Sequence, residues 1–100
     1  MIFVSFENME DADRAANYLI DNKLAACVEI FPVKNYYVWK GEKVKADEVS
    51  GIIKTQDGYF ECVAGALREV LQAEIPQIIE VKCDAANDTY SAWLQESLKT

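Results

Sequence analysis

No histidine occurs in the 100 residues, and arginine occurs only twice, at Arg14 and Arg68. Without imidazole the chain lacks the usual base for activating a serine or cysteine nucleophile, and Ser5, Ser50, Ser91 and Ser97 carry no elbow motif. No imidazole and no C-x-x-C pair leave a structural zinc site almost without ligands. Glycine is equally sparse, with four residues that never cluster, so neither a P-loop nor a dinucleotide fingerprint is present. The residues therefore point away from an enzyme. Cysteine occurs three times, at Cys27, Cys62 and Cys83. An odd count at wide spacing argues against a disulfide framework. Each cysteine sits in an apolar stretch (AACVEI, FECVAGAL, EVKCD) and is expected to be a reduced, buried hydrophobe. No run approaches the roughly 18 apolar residues of a membrane span. Met1 leads straight into IFVSF, which reads as a first strand and not as a leader, so a cytoplasmic protein is expected.

Positive charge is scarce as well. Ten Lys and Arg stand against seventeen Asp and Glu, a net charge of −7. Such a surface repels nucleic-acid phosphates and anionic lipid, which excludes both as expected partners, and it attracts cations. The acids of MEDAD (residues 9–13) lack the glycine and distal glutamate of a calcium loop. They suit the first turn of a helix, where the backbone dipole favours negative charge.

What the chain does have is core material: 51% of residues are apolar and 27% charged. One domain over residues 1–100 is expected. Ile2 to Phe6 reads as a buried strand. Asn8 is a good N-cap, and Met9, Ala12, Ala15, Ala16, Leu19 and Ile20 recur at helical spacing until Asp21-Asn22-Lys23. Ala25 to Phe31 is a strand; Pro32, lacking a donor, predicts a bulge or an edge position. Tyr36 to Trp39 continues it, Gly41 marks a turn, and Val44 to Thr55 returns. Asp57 is placed to cap a second helix with the stripe Phe60, Val63, Ala64, Leu67, Val70 and Leu71. After Pro76 comes a strand over Ile78 to Cys83. Asn87 or Asp88 then caps a last helix with Tyr90, Trp93, Leu94 and Leu98 on one side.

The order β-α-β-β-α-β, plus a C-terminal helix, predicts an α+β fold of the ferredoxin-like, split β-α-β kind: an antiparallel sheet with a long hairpin and two helices on one face. The other face then needs cover, from the third helix or from a neighbouring subunit.

Four segments in register, KLAACVEIFP (23–32), the hairpin YVWKGE to EVSGIIKT (37–55), EIPQII (74–79) and NDTYSAWLQES (87–97), resemble the CutA divalent-cation tolerance family over essentially the whole chain. The resemblance implies a compact cytoplasmic homotrimer linked to the response to divalent metal ions, often copper. It also implies that the hairpin reaches past its own subunit and pairs with neighbours around a threefold axis. An intersubunit cleft of the family maps onto Tyr37, Trp39, Glu48, Lys54 and Glu74, an aromatic wall with an ammonium and two carboxylates suited to a small polar or anionic molecule. Lys54 neighbours the apolar Ile52 and Ile53 and needs a partner if partly buried; Glu48 is the expected one. The plainer reading makes Tyr36, Tyr37 and Trp39 interface packing and the lysine–glutamate pair a structural bridge.

One segment departs from the family pattern. Its His-Pro-Tyr-Glu-x-Pro-Glu stands here as Leu71, Gln72, Ala73, Glu74, Ile75, Pro76 and Gln77, keeping only Glu74 and Pro76. The donors left for copper or another soft cation are sulfur, with Cys27 the candidate ligand. A second reading is a small-molecule-sensing signalling or scaffold trimer of PII-like architecture, although the KGEK turn is too short for the long mobile loop of such regulators.

Overall fold

The computed structural model describes residues 1–71 and 73–98; Gln72, one of the positions in the departing segment, lies outside them. Among the described residues three helices and four strands follow in the order β1 (Ile2–Phe6), α1 (Met9–Asp21), β2 (Cys27–Trp39), β3 (Glu42–Lys54), α2 (Phe60–Val70), β4 (Ile78–Glu80) and α3 (Asp88–Ser97). The strands form one antiparallel sheet in the order β2-β3-β1-β4. This is the expected α+β, ferredoxin-like arrangement.

Period-two alternation builds the core. Ile2, Val4 and Phe6 of β1 point to one face and are buried with Val49 and Ile53 of β3. Ala12, Ala15 and Leu19 of α1, with Val63 and Leu67 of α2, cover that face. Two alanines in α1 let its backbone come close to the sheet. Asn8 caps α1 as expected, its Oδ1 accepting from the Asp11 backbone N–H at 2.8 Å. The helix ends where Lys23 turns left-handed (φ 57°) and the Leu24 N–H donates to the Leu19 carbonyl at 2.9 Å. Met9 and Ile20, at the margins of the predicted stripe, are exposed.

β2 and β3 pair without a break over thirteen residues each. Pro32 causes no bulge; it sits opposite Val49 in an unbroken register, which is tolerated because β2 is an edge strand. The two-residue loop Lys40-Gly41 has φ of 49° and 81°, the left-handed pair that matches the twist of a hairpin. A Cβ on Gly41 would meet nothing within 4 Å, so the need for glycine there is purely backbone. Gly41→Ala is expected to cost about 1 kcal/mol, read as a lower urea midpoint at unchanged slope.

β1 pairs with β3 only over Val49 to Ile53. Residues 33–39 and 42–48 therefore run on as a two-stranded arm. Thirteen strand residues span roughly 43 Å at 3.3 Å each, close to the 45 Å long axis of the molecule. The radius of gyration, 14.3 Å, exceeds the roughly 13 Å of a compact 100-residue domain.

Other boundaries differ from expectation. Tyr59, not Asp57, occupies the α2 N-cap position, and it makes no side-chain capping bond. β4 stops at Glu80, with one further exchange in which the Met1 nitrogen donates to the Val81 carbonyl at 2.9 Å and Val81 N–H donates to Met1 O at 2.7 Å. Cys83 therefore lies in a loop and is exposed, and Cys62 lies off the apolar stripe of α2 and is exposed too; only Cys27 is partly buried. The expectation of three buried cysteines is corrected accordingly. α3 buries none of its own residues, although Leu98 just after it is buried. Trp93 stacks at a tilt on Tyr90, 5.6 Å between centroids, and remains exposed. The helix-free face of the sheet keeps Phe31 and Ile79 at the surface.

Candidate functional site

At the base of the arm a cavity of about 660 Å³ opens between Glu7 after β1, the aromatic residues of β2, Glu48 of β3 and Glu74 in the segment before β4. Tyr37 and Trp39 share one strand face because they are two residues apart, and Glu48 shares it because its register partner is Val33. Four predicted site residues, Tyr37, Trp39, Glu48 and Glu74, thus line one cavity of the single chain. Glu7 and Asp47 line it too, and no lysine or arginine among the described residues does. Two of the four acids are engaged: Glu48 Oε1 accepts from Asn35 Nδ2 at 2.7 Å, and Asp47 pairs with Lys34 at 3.1 Å. The arrangement can attract cations and stack a flat or apolar group. It lacks the paired nucleophile and base of a hydrolytic centre.

Lys54 is elsewhere. It is the last residue of β3 and lines a second cavity, near α3. Its ammonium pairs with Glu29, diagonally across from it on β2, and not with Glu48 as expected. Sequence distance hid this partner; strand parity would have found it, since Glu29 stands opposite Ile52, two residues from Lys54. The hydrogen bond to Glu29 holds the Lys54 pKa above the ordinary lysine value, against an opposing effect of burial. Because the folded value is raised, the pair's contribution is present at neutral pH and is lost as pH climbs through it, above about 10.4. Glu29→Gln is expected to bring the Lys54 midpoint down toward the ordinary value, as followed by NMR titration of its side-chain carbon.

Cys27 opens β2 opposite Lys54, half-buried and free. Among the described residues no three His, Cys, Asp or Glu side chains gather into a metal-ligating group. The donor set of one chain does not fit a resident copper centre.

The aromatic arm has rings on both faces. Tyr36 is 64% and Val38 71% exposed on one, with Tyr37 and Trp39 partly exposed on the other. Lys45 lies 5.6 Å over the Tyr36 ring and Lys40 5.7 Å over Trp39, partial shields worth about 0.5–1 kcal/mol each at exposed sites.

Residues 1–97 match the CutA1 divalent ion tolerance protein family. The chain belongs to that family. The divalent-cation tolerance protein CutA of Archaeoglobus fulgidus is 30% identical over 98 residues, covering 98% of this chain and 96% of that protein. Human protein CutA is 30% identical over 95 residues, which are 94% of this chain and 53% of the human protein. Among solved structures, CutA1 of Pyrococcus horikoshii superposes with a TM-score of 0.95 at 26% identity, over 99% of this chain and 97% of that one. The Archaeoglobus fulgidus structure, described as a periplasmic divalent cation tolerance protein, gives 0.95 at 30% identity over 98% and 96%. An Arabidopsis thaliana relative is described as chloroplastic. In this CutA1-family chain no helix among the described residues is long and apolar enough to cross a membrane.

Proposed function

We propose that this chain acts as a cytoplasmic homotrimer in the response to divalent metal ions, without catalysis of its own. The arm carries the reading. A two-stranded ribbon is marginal in water, and this one has no third strand over residues 33–39 and 42–48. It presents unpaired edges and exposed rings, features that cause uncontrolled association unless another chain covers them. A closed ring uses one arm and one receiving edge per chain, so no edge is left over. The threefold number comes from the family resemblance.

Cation response is supported by the arm-base cavity, which four carboxylates line with no basic residue among the described residues. Since no set of donors gathers among the described residues of one chain, we place any bound ion at the seams between chains, where Glu48, Glu74 and the Cys27 thiol are the donors to consider. Titrating chelator-treated protein with copper(I), copper(II) and zinc tests this. Saturable uptake at a fixed number per trimer supports it. Uptake no tighter than roughly millimolar, the level of surface charge, overturns the metal part.

The missing donor cluster favours one second reading, a small organic ligand at the same seams sensed by a PII-like trimer. A thermal-shift screen of nucleotides and organic acids separates the two; a stabilising hit with no metal response favours the second.

A further inference from the structure

The two outer strands of the sheet are β2 and β4, and their surroundings carry opposite charge. Around the hairpin turn, residues 34–45 hold four of the chain's ten lysines and arginines, Lys34, Lys40, Lys43 and Lys45, against the single acid Glu42, a net +3. In a chain of net charge −7 this leaves −10 for everything else. Around β4, residues 74–88 hold Glu74, Glu80, Asp84 and Asp88 against Lys82, a net −3.

Little of this charge is matched inside the chain. Of the arm lysines only Lys34 has a carboxylate partner among the described residues, Asp47, and none of the four acids around β4 is in such a pair. Lys43 and Lys45 stand opposite Val38 and Tyr36 in the register, so these four side chains share one face of the arm. Val38 and Tyr36 are exposed there, and the β4 segment exposes Ile75 and Ile79. Each edge thus joins apolar surface to charge of one sign.

Two copies can bring such edges together in three ways. Arm on arm sets +3 against +3, and β4 edge on β4 edge sets −3 against −3; both place like charges together, which is costly. Arm on β4 edge brings opposite charges and apolar surfaces together and covers two unpaired strand edges at once. That contact is head-to-tail, the kind that repeats from copy to copy and closes into a ring. We propose that the arm is received by the β4 edge of a second copy of this chain, residues 74–88, and that the opposite charges of the two edges select this pairing over the two symmetric ones. The pairing rests on the assembly proposed above and gives it a receiving surface.

The test is the rate of assembly. Chain diluted out of urea is followed by light scattering, at concentrations where the rate rises with concentration, in low and in high salt. Opposite charges speed encounter and salt screens them, so the unmodified chain is expected to assemble about tenfold more slowly in high salt. Lys43→Glu with Lys45→Glu takes the arm to −1, and Glu80→Lys with Asp84→Lys takes the edge to +1. All four positions are exposed, so neither double variant disturbs the core. Each double variant is expected to assemble about tenfold more slowly in low salt and to be accelerated by added salt, because like charges now meet. The quadruple variant, with both edges reversed, is expected to assemble about threefold faster than either double, with salt slowing it again. Damage to the fold would instead accumulate over the four substitutions. An unmodified chain whose assembly ignores salt, or a quadruple variant no faster than the doubles, would overturn the charge-selected pairing and leave the assembly standing. A chain that stays at 11.3 kDa at every concentration would overturn both.

Discussion

Phe6→Ala is expected to remove about 3–5 kcal/mol from a domain whose total stability is of the order of 5–15. Phe6 is 2% exposed at the end of β1, and its ring closes over the sheet at Gly51. A Cβ on Gly51 would stand 3.0 Å from Phe6 Cε2, 3.2 Å from Val4 Cγ1 and 3.3 Å from the Glu29 carbonyl oxygen. The ring occupies the space that a side chain on β3 would need. Gly51→Val alone is accordingly expected to cost about 1–3 kcal/mol by overpacking. Combined with Phe6→Ala, the valine enters the space the ring has left, so the double variant should be more stable than the sum of the two losses implies, by about 0.5–3 kcal/mol. Urea unfolding of the four proteins measures this coupling. Strict additivity would mean that ring and glycine do not share that space.

The second large effect concerns the arm. Trp39→Ala leaves the core untouched, since Trp39 is not a member of the buried cluster and its register partner is Glu42, next to the hairpin turn. The chain should fold with an unchanged circular dichroism spectrum. Self-association should nevertheless weaken, because buried tryptophan and tyrosine anchors commonly account for about 2 kcal/mol or more each, roughly thirty-fold in a dissociation constant. Val38→Glu, at a position 71% exposed in the lone chain, should act in the same direction by setting an unpaired charge into the seam. Sedimentation over a dilution series reads both variants. An unshifted midpoint for Trp39→Ala would take the arm out of the interface.

Much of the fold was legible because local rules sufficed. Alternation gave β1, and the Asn8 cap with alanines at helical spacing gave α1. Lys40-Gly41 between apolar runs gave the hairpin. Elsewhere tertiary context decides. Pro32 predicts a bulge or an edge position, and it takes the edge position with no bulge, because a missing donor is harmless there. IIEVKC looked like six residues of strand, yet only Ile78 to Glu80 pair with the five-residue β1. Propensity puts the α2 start at Asp57, whereas the chain turns two residues later at Tyr59.

The candidate residues Tyr37, Trp39, Glu48, Lys54 and Glu74 all rest on the family resemblance; strand parity adds that Tyr37, Trp39 and Glu48 share one face. The resemblance groups Lys54 with them, whereas in the single chain it faces Glu29 and another cavity.

Sedimentation of the unmodified chain at micromolar concentration tests the central claim, that the unpaired arm is the seam of an assembly. The expected mass is three times the 11.3 kDa of one chain, holding on dilution. A single well-folded 11.3 kDa species, with the arm's amides protected as strongly as those of β1, would contradict it.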